Sequence, residues 1–318
     1  MTEPDADRPL PADWQRGPRY GGAYTFARCP ATRDLSHADV AIVGVPIDMT
    51  TLYRSGARFG PRAIRAASGQ LRPHHWDADR LEPPYDRLRV IDYGDIDVFP
   101  GYIEQSVAHI QSELAPVFES GVFPIVLGGD HSTTLPVLRA CAARHGKLSL
   151  VHFDAHPDFW RPFAPERPIH HGTVFRLAAE EGIIDPSSSV QIGIRGSISA
   201  NLIPEARAAG FNLITADEFS QRGVLSTLEA VRSTVQGPVY VSLDIDSVDP
   251  AFAPGTGTPE VAGLTSREII ELVRGLRGLP LVAFDVVEVA PAYDNAEITA
   301  LLAANLVFEM LLLLAERD

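Results

Sequence analysis

The chain has 318 residues, of which 45% are hydrophobic, and a formal net charge of −14. This composition is typical of a soluble globular protein with a sizeable core. The negative charge argues against nucleic acid as a partner, because phosphate binding needs clustered Lys and Arg. The start, Met1 to Asp7, lacks the regions of a signal peptide, and no stretch of 18 apolar residues predicts a membrane span. We therefore expect a cytoplasmic protein without a membrane partner.

The first residues are rich in Pro, Gly, Arg and Asp without any period, which predicts an N-terminal arm over 1–35 that is mobile or contacts a neighbouring subunit. Residues 36–318 are expected to form one domain, since no Gly/Ser-rich linker divides them. Apolar runs then alternate with helix-like segments. The predicted strands are Val40–Val45, Leu88–Asp92, Phe123–Leu127, Leu148–Phe153, Val190–Ile194, Asn212–Thr215, Val239–Leu243 and Leu281–Val287.

Helices are predicted between most of these strands, at Pro61–Ser68, Tyr102–Ser120, Thr133–Arg144, Leu225–Val235, Ser266–Arg277 and Glu297–Ala315. Continuous apolar strands joined by helices indicate a parallel sheet that is covered on both faces. The expected fold is α/β, a three-layer α/β/α arrangement with a mainly parallel eight-stranded sheet. Ligands of such sheets bind beyond the carboxyl ends of the strands.

Three short clusters of acidic residues and histidine follow predicted strands at that end of the sheet. They read Gly128-Gly129-Asp130-His131-Ser132, Asp154-Ala155-His156-Pro157-Asp158 and Asp244-Ile245-Asp246-Ser247-Val248-Asp249. Alternate side chains of an extended chain point the same way, so side chains two residues apart can converge. Crowded carboxylates repel each other unless a cation lies among them. Two divalent metal ions would supply that charge, which predicts a hydrolytic site.

The candidate ligands contain oxygen and nitrogen but no thiol, a set that favours manganese or another fairly hard divalent ion over structural zinc. Carboxylates such as Asp154 and Asp244 can bridge two ions, and such pairs activate water at neutral pH. The candidate ligands are His131, Asp154, His156, Asp158, Asp244 and Asp246.

These motifs resemble the signatures of the ureohydrolase (arginase/agmatinase) superfamily, and most closely its agmatinase-like branch. The resemblance extends to Ser55–Arg65, Phe252–Glu260 and Asp285–Pro291, and it runs from about residue 40 to the C-terminus. It implies an arginase-like fold, a single catalytic domain over 36–318 and homo-oligomers, as trimers or hexamers. The implied cofactors are two Mn²⁺ ions, with Ni²⁺ as the alternative.

The resemblance also assigns roles residue by residue. It implies that one ion is held by His131, Asp154, Asp158 and Asp244, and the other by Asp154, His156, Asp244 and Asp246. By the same match, Glu288 pairs with the substrate guanidinium and His171 shuttles protons. Asp158 would aim the attacking water. The implied reaction is hydrolysis of a guanidino compound to urea and an amine.

The segment after Asp158 departs from the family pattern, because bulky residues replace the small polar ones that are usual there. Phe159 and Trp160 would narrow the cavity and favour a small alkylguanidine. Arg161 or Arg167 would instead meet the carboxylate of a guanidino acid such as 4-guanidinobutyrate, whereas Glu166 would meet the amine of agmatine. These three substrate classes stay open at this point.

Three other functions compete with this interpretation. A two-metal phosphatase would need Arg or Lys near the metals to clamp phosphate, and the three clusters contain none. A formimino-group hydrolase of the same superfamily is a closer alternative. A non-catalytic subunit of a hetero-oligomer should have lost ligands, whereas this chain keeps all six.

Overall fold

The computed structural model describes residues 19–22, 24–71 and 84–317. They form one sheet of eight strands, in which every pair of neighbours is parallel and the order is β2-β1-β3-β8-β7-β4-β5-β6. The strands are β1 (Val40–Val45), β2 (Val90–Asp95), β3 (Phe123–Gly128), β4 (Ser149–Phe153), β5 (Val190–Ile194), β6 (Asn212–Thr215), β7 (Val239–Asp244) and β8 (Leu281–Val287). The predicted α/β fold with an eight-stranded sheet is confirmed.

Helices connect the strands and cover both faces, so that one apolar core lies on each side of the sheet. They are α1 (Gly60–Ser68), α2 (Ile103–Glu119), α3 (Thr134–His145), α4 (Val174–Glu180), α5 (Leu202–Ala208), α6 (Ala216–Thr234), α7 (Ser266–Arg274) and α8 (Ile298–Ala315). The strands are buried on both faces, which explains why they read as unbroken apolar runs.

Two helices and half of a third were missing from the sequence-based prediction. α4 and α5 have seven residues each, too short to show a clear helical period. α6 begins nine residues before the predicted start, at Ala216, behind a capping box between Thr215 and Glu218. Gly223, at φ 71°, breaks the helix into two parts, and only the second part carries the apolar period.

Most of the predicted arm, residues 1–18 and 23, lies outside the described residues. Within the described part, Phe26 is fully buried, and its backbone N–H donates to Asp92 Oδ2 at 2.6 Å. Asp92 Oδ2 also forms a salt bridge with Arg65 Nε at 2.8 Å. The segment around Phe26 therefore packs on α1 and β2 of its own chain.

One helix among the described residues, α8, is long and apolar enough to cross a membrane by length and composition. Its mean hydropathy is 2.2, but 83% of it is buried inside the protein. α8 packs against α1 and α7. Because α8 is surrounded by the rest of the protein, its apolar composition is that of a core helix.

Candidate active site

The three predicted clusters meet at the carboxyl ends of the central strands β3, β8, β7 and β4. His131 follows β3, and its Nδ1 atom lies 2.9 Å from Asp158 Oδ2, 3.2 Å from Asp154 Oδ2 and 3.3 Å from Asp244 Oδ2. All four side chains are buried. We call these four residues the first half-site.

A second group shares Asp154 with the first. His156 Nδ1 lies 3.1 Å from Asp246 Oδ2 and 3.4 Å from Asp154 Oδ1. The ligand atoms of these three residues all lie within 4.8 Å of one another. We call Asp154, His156 and Asp246 the second half-site. The six predicted ligands are thus brought together in two adjoining groups.

A row of buried polar residues supports this cluster from within the sheet. In the register of the strands His152 of β4 lies beside Gln191 of β5 and Ser242 of β7, and Ser242 lies beside Asp285 of β8. We call Gln191, His152, Ser242 and Asp285 the polar row. Because side chains alternate along a strand, His152 and Ser242 lie two residues before Asp154 and Asp244 and support the same face.

Two members of the polar row orient His131. Ser242 Oγ donates to Asp285 Oδ1 at 2.7 Å, so this hydroxyl accepts from His131 Nε2–H at 2.9 Å. Asp285 also accepts from Thr134 and Tyr240. With Nε2 occupied, the nitrogen of His131 that faces the three carboxylates is Nδ1, which has no hydrogen-bond partner among the described residues.

The other two members orient Asp154. Gln191 Nε2 donates to His152 Nδ1 at 2.9 Å, so His152 donates from Nε2–H to Asp154 Oδ2 at 2.8 Å. Both nitrogens of His152 are therefore occupied, and His152 has no lone pair left for a metal ion although it lies close enough. It acts by fixing Asp154.

The carboxylates of the cluster are electrostatically crowded. Burial, followed by the charges of Asp246 and Asp154, raises the pKa of Asp244 well above its ordinary value. Burial would lower the pKa of His131, but the Asp158 charge and the close approach of the Asp154, Asp158 and Asp244 carboxylates raise it well above the ordinary value. This donor set, with an unpartnered ring nitrogen facing three carboxylates, fits a divalent cation.

Glu288 and His171 lie next to the first half-site. Glu288 Oε1 accepts from the backbone N–H of His131 at 3.0 Å and contacts His171 Nδ1 at 2.9 Å. Glu288 Oε2 is buried and has no hydrogen-bond partner in the described part of the chain. Beside it, Gly257 allows close backbone packing, because a Cβ there would lie 2.8 Å from Arg54 O.

Two of these side chains are held by left-handed backbone. Asp158 has φ 45° and Glu288 has φ 62°, values that residues other than glycine seldom adopt. Such residues cluster at functional sites, where the surrounding contacts hold them in place. Here the backbone N–H of Glu288 donates to Gly129 O at 2.8 Å.

A cavity of about 490 Å³ opens above the cluster. At its floor are His156, Asp158, His171 and Asp244, and its walls come from several loops. The wall residues are Leu52, Tyr53, Arg54, Trp160, Gly172, Ser197, Ile198, Thr258, Pro259 and Glu260.

The comparisons with known proteins agree with this geometry. The sequence profile of the Arginase family matches residues 38–313. The chain belongs to the arginase family. It is 47% identical to a guanidinopropionase of Pseudomonas aeruginosa over 98% of this chain and 97% of that protein. It is 45% identical to a mitochondrial agmatinase of Gallus gallus over 92% and 86% of the two chains. The crystal structure of proclavaminate amidino hydrolase from Streptomyces clavuligerus superposes with a TM-score of 0.90 at 43% identity, covering 94% and 99%.

In this arginase-family chain, only one of the bulky residues after Asp158 reaches the cavity. Trp160 lines it, 6.0 Å from the His156 ring between centroids. Phe159 is buried in the core instead, against Phe211 and beneath the Arg176 guanidinium. Chain alternation places the two aromatic side chains on opposite sides of the segment.

The charged residues of that segment point elsewhere. Arg161 bonds to Glu205 at 3.3 Å and its side chain is 75% exposed. Glu166 and Arg167 are exposed and are not among the cavity-lining residues. Of the five predicted pocket residues in this segment, only Trp160 is among the cavity-lining residues. Arg54, which follows β1, is the one Lys or Arg of the described lining.

Sequence reasoning also missed the polar row. The sequence does contain a sign of it: His152, Gln191 and Ser242 are polar residues inside three mainly apolar strands. A buried polar residue inside a parallel strand needs a partner, which predicts a second polar residue on a neighbouring strand. Which strands are neighbours follows from the sheet order, and the sequence does not show that order.

Proposed function

We propose that this arginase-family chain is a binuclear-metal amidinohydrolase that cleaves a guanidino compound to urea and an amine. The observation that carries the proposal is Oε2 of Glu288, a buried carboxylate oxygen without a hydrogen-bond partner among the described residues. The same carboxylate contacts His131 of the first half-site and His171, which lines the cavity. A planar cation with paired N–H donors is the ligand that suits such an oxygen.

The two half-sites would hold the two ions of the centre. The first half-site, His131, Asp154, Asp158 and Asp244, would surround one ion. The second half-site, Asp154, His156 and Asp246, would surround the other together with Asp244. The set of carboxylates and imidazoles suits Mn²⁺, with Ni²⁺ as the alternative. When bound, the ions supply Lewis-acid activation of water at neutral pH.

The chain's own residues would arrange the other reactants. Glu288 holds the guanidinium so that its carbon lies over the half-sites, which converts attack by water into a reaction between neighbours. Asp158 accepts a hydrogen bond from the attacking water and fixes its direction. A C–O bond forms at the guanidinium carbon, and the C–N bond to the alkyl group breaks.

His171 supplies the proton that the leaving amine needs. Its Nδ1 contacts Glu288 Oε1, and the ring also borders the cavity. Burial lowers the pKa of His171, but the hydrogen bond to Glu288 and the charges of Glu288 and Asp158 outweigh this and raise it to about 9. An imidazolium at neutral pH is a suitable general acid.

Arg54 supports a guanidino acid as the substrate class. Its guanidinium lies 5.1 Å from the ring centres of both Tyr53 and Tyr293, at the exposed mouth of the cavity, and it forms no ion pair with a described residue. Glu260, the acidic residue of the wall, lies deeper, 4.0 Å from His156 Nε2. A substrate whose guanidinium meets Glu288 would thus present its other end to a cation.

The competing functions have less support. The relatives at 45–47% identity are named for guanidino substrates. The described chain retains all six ligands in one cluster, which a non-catalytic subunit would have no need to keep. A formimino-group hydrolase would use the same centre, and the substrate assay below separates it.

The test is urea release by Mn²⁺-loaded and Ni²⁺-loaded protein across agmatine, 3-guanidinopropionate, 4-guanidinobutyrate, arginine, guanidine and N-alkylguanidines. We expect urea from a guanidino acid, and loss of that activity in Glu288→Gln with both ions still bound. Glu309→Gln is the matched control, because Glu309 is equally buried but pairs with Arg274 far from the cluster. Urea from no substrate under either metal would overturn the proposal.

Assembly and location stay predictions. The family resemblance implies trimers or hexamers, which light scattering of the purified protein would measure. A cytoplasmic location would be checked by cell fractionation.

A further inference from the structure

Arg195 follows β5 and is bonded to a set of backbone carbonyls around the second half-site. Its Nη2 donates to Asp246 O at 2.8 Å and to Glu260 O at 2.7 Å. Its Nη1 donates to Gly193 O and Ser247 O, and its Nε donates to Val261 O at 3.0 Å. The guanidinium is thus used almost entirely to hold backbone rather than to pair with a carboxylate.

Apart from Gly193 O, which lies in β5, the carbonyls belong to two segments that carry site residues. One is the turn after β7, which carries Asp246. The other is 258–261, in which Thr258 Oγ1 donates to Asp246 Oδ2 at 3.2 Å and Glu260 Oε1 lies 4.0 Å from His156 Nε2. Fixing these two segments to each other fixes the direction of the Asp246 carboxylate.

The backbone of Arg195 reaches the third segment. Its N–H donates to Ala155 O at 2.8 Å, and the N–H of Ala155 donates to Asp246 Oδ1 at 3.0 Å. Ala155 lies between Asp154 and His156. All three members of the second half-site are therefore tied to one arginine, whereas His131 and Asp158 have no hydrogen bond to it among the described residues.

Gly263 makes room for this arrangement. A Cβ at Gly263 would lie 2.3 Å from Arg195 Nη2, 2.7 Å from its Cζ and 2.6 Å from the backbone N of Asp249. A side chain there would push the guanidinium out of its place. The surroundings of Arg195 include Asp246, Asp154 and Glu260, so a fixed positive charge also lies behind the carboxylates.

We propose that Arg195 is a positioning residue for the second half-site: it touches neither substrate nor metal, but its hydrogen bonds to the carbonyls of Asp246 and Glu260 hold the ligands of one ion in binding geometry. This inference rests on the proposed function, since it presumes two ions. Lysine cannot replace the fork, because an ammonium cannot reach carbonyls on several sides at once.

The test is calorimetric titration of the EDTA-stripped full chain with Mn²⁺. Arg195→Lys should lose about 10-fold or more in affinity at one of two sites, the range known for residues that orient ligands, and keep the other within about 3-fold. Gly263→Ala should give the same selective loss with the arginine present. At one equivalent of Mn²⁺ per Arg195→Lys chain, electron paramagnetic resonance should show the six-line spectrum of an isolated ion.

Arg274→Lys is the matched control. Arg274 also uses a fork, bonding Glu309 at 2.8 and 2.7 Å, but between α7 and α8. It should lower the melting temperature of the stripped protein and leave both Mn²⁺ affinities unchanged. Equal affinities of wild type and Arg195→Lys, or an equal loss at both sites, would overturn the inference alone. A wild-type chain that binds fewer than two Mn²⁺ ions would overturn the proposed function with it.

Discussion

His171 Nδ1 lies 2.9 Å from Glu288 Oε1, while His171 Nε2 faces the backbone N–H of Leu52 at 3.2 Å. The two contacts favour opposite charge states, because the carboxylate stabilises an imidazolium and the amide N–H stabilises a neutral ring. The charges of Glu288 and Asp158 prevail and raise the pKa of His171. The proposed proton donor and the proposed guanidinium ligand are therefore electrostatically coupled.

Glu288→Gln should lower the pKa of His171 from about 9 towards the ordinary value of 6.5 in the metal-free protein, because the substitution removes the largest cause that raises it. NMR titration of the ring protons measures this shift. The stability that the pair adds should be present below pH 6.5 and be lost as the pH rises through about 9. A His171 pKa that stays near 9 in the variant would contradict the assignment.

Asp244→Asn should stabilise the metal-free protein at pH 8 by about 1 to 3 kcal/mol, the usual cost of a buried polar group that lacks compensation. Burial raises the pKa of Asp244 well above its ordinary value, so its favourable contribution exists at low pH and is lost as the pH rises through the folded-state pKa. The amide keeps the acceptor that bonds Asp246 N. Urea denaturation at pH 5 and pH 8 should show a smaller loss for the variant, and added Mn²⁺ should stabilise only wild type strongly.

Ser242→Ala should weaken Mn²⁺ binding by about 10- to 100-fold without unfolding the chain, because it removes the hydrogen bond that orients His131. Ser149→Ala is the control, since Ser149 is also a buried strand serine but bonds Ser188 and Gln236 at the other end of β4. Titration of both stripped variants with Mn²⁺ measures the effect. Equal Mn²⁺ affinities of the two variants would show that the Ser242 hydrogen bond does not orient His131 for metal binding.

Arg54→Gln should raise KM for a guanidino acid by about 2- to 5-fold and leave kcat nearly unchanged, because a solvent-accessible ion pair made equally in substrate and transition state acts on binding. Steady-state urea release against the acid and against an N-alkylguanidine measures the difference. The alkylguanidine should be insensitive, as it has no carboxylate. Equal effects on the two substrates would refute a carboxylate site at Arg54.

The sequence predicts much of this arrangement because its signals are local. β1, β5, β6 and β8 have their predicted bounds, since buried parallel strands are continuous apolar runs between polar turns. The six ligand candidates meet because strand ends of a parallel sheet share one edge. The shape of the cavity depends on non-local contacts, so Phe159 and Arg161 were expected in a wall that is formed by Arg54 and Ser197 instead.

The left-handed backbone at Asp158 and Glu288 was equally beyond prediction, because Asp adopts that region only occasionally and Glu seldom, and the surrounding fold imposes it. The same holds for Arg195, whose partners are carbonyl oxygens. Every residue has a backbone carbonyl oxygen, so the sequence does not show which of these oxygens an arginine will bond.

The proposed metal ligands follow strand ends that the polar row supports, whereas segments around Arg54, Trp160 and Ser197 form part of the cavity wall. Reaction and recognition thus reside in separately mutable parts of the chain. A library of variants at 52–54, 160 and 197–198 would change which guanidino substrates fit the cavity. The residues of both half-sites would be the same in every variant. Substitutions in the cavity wall can thus change substrate selectivity while the residues of the two half-sites stay the same.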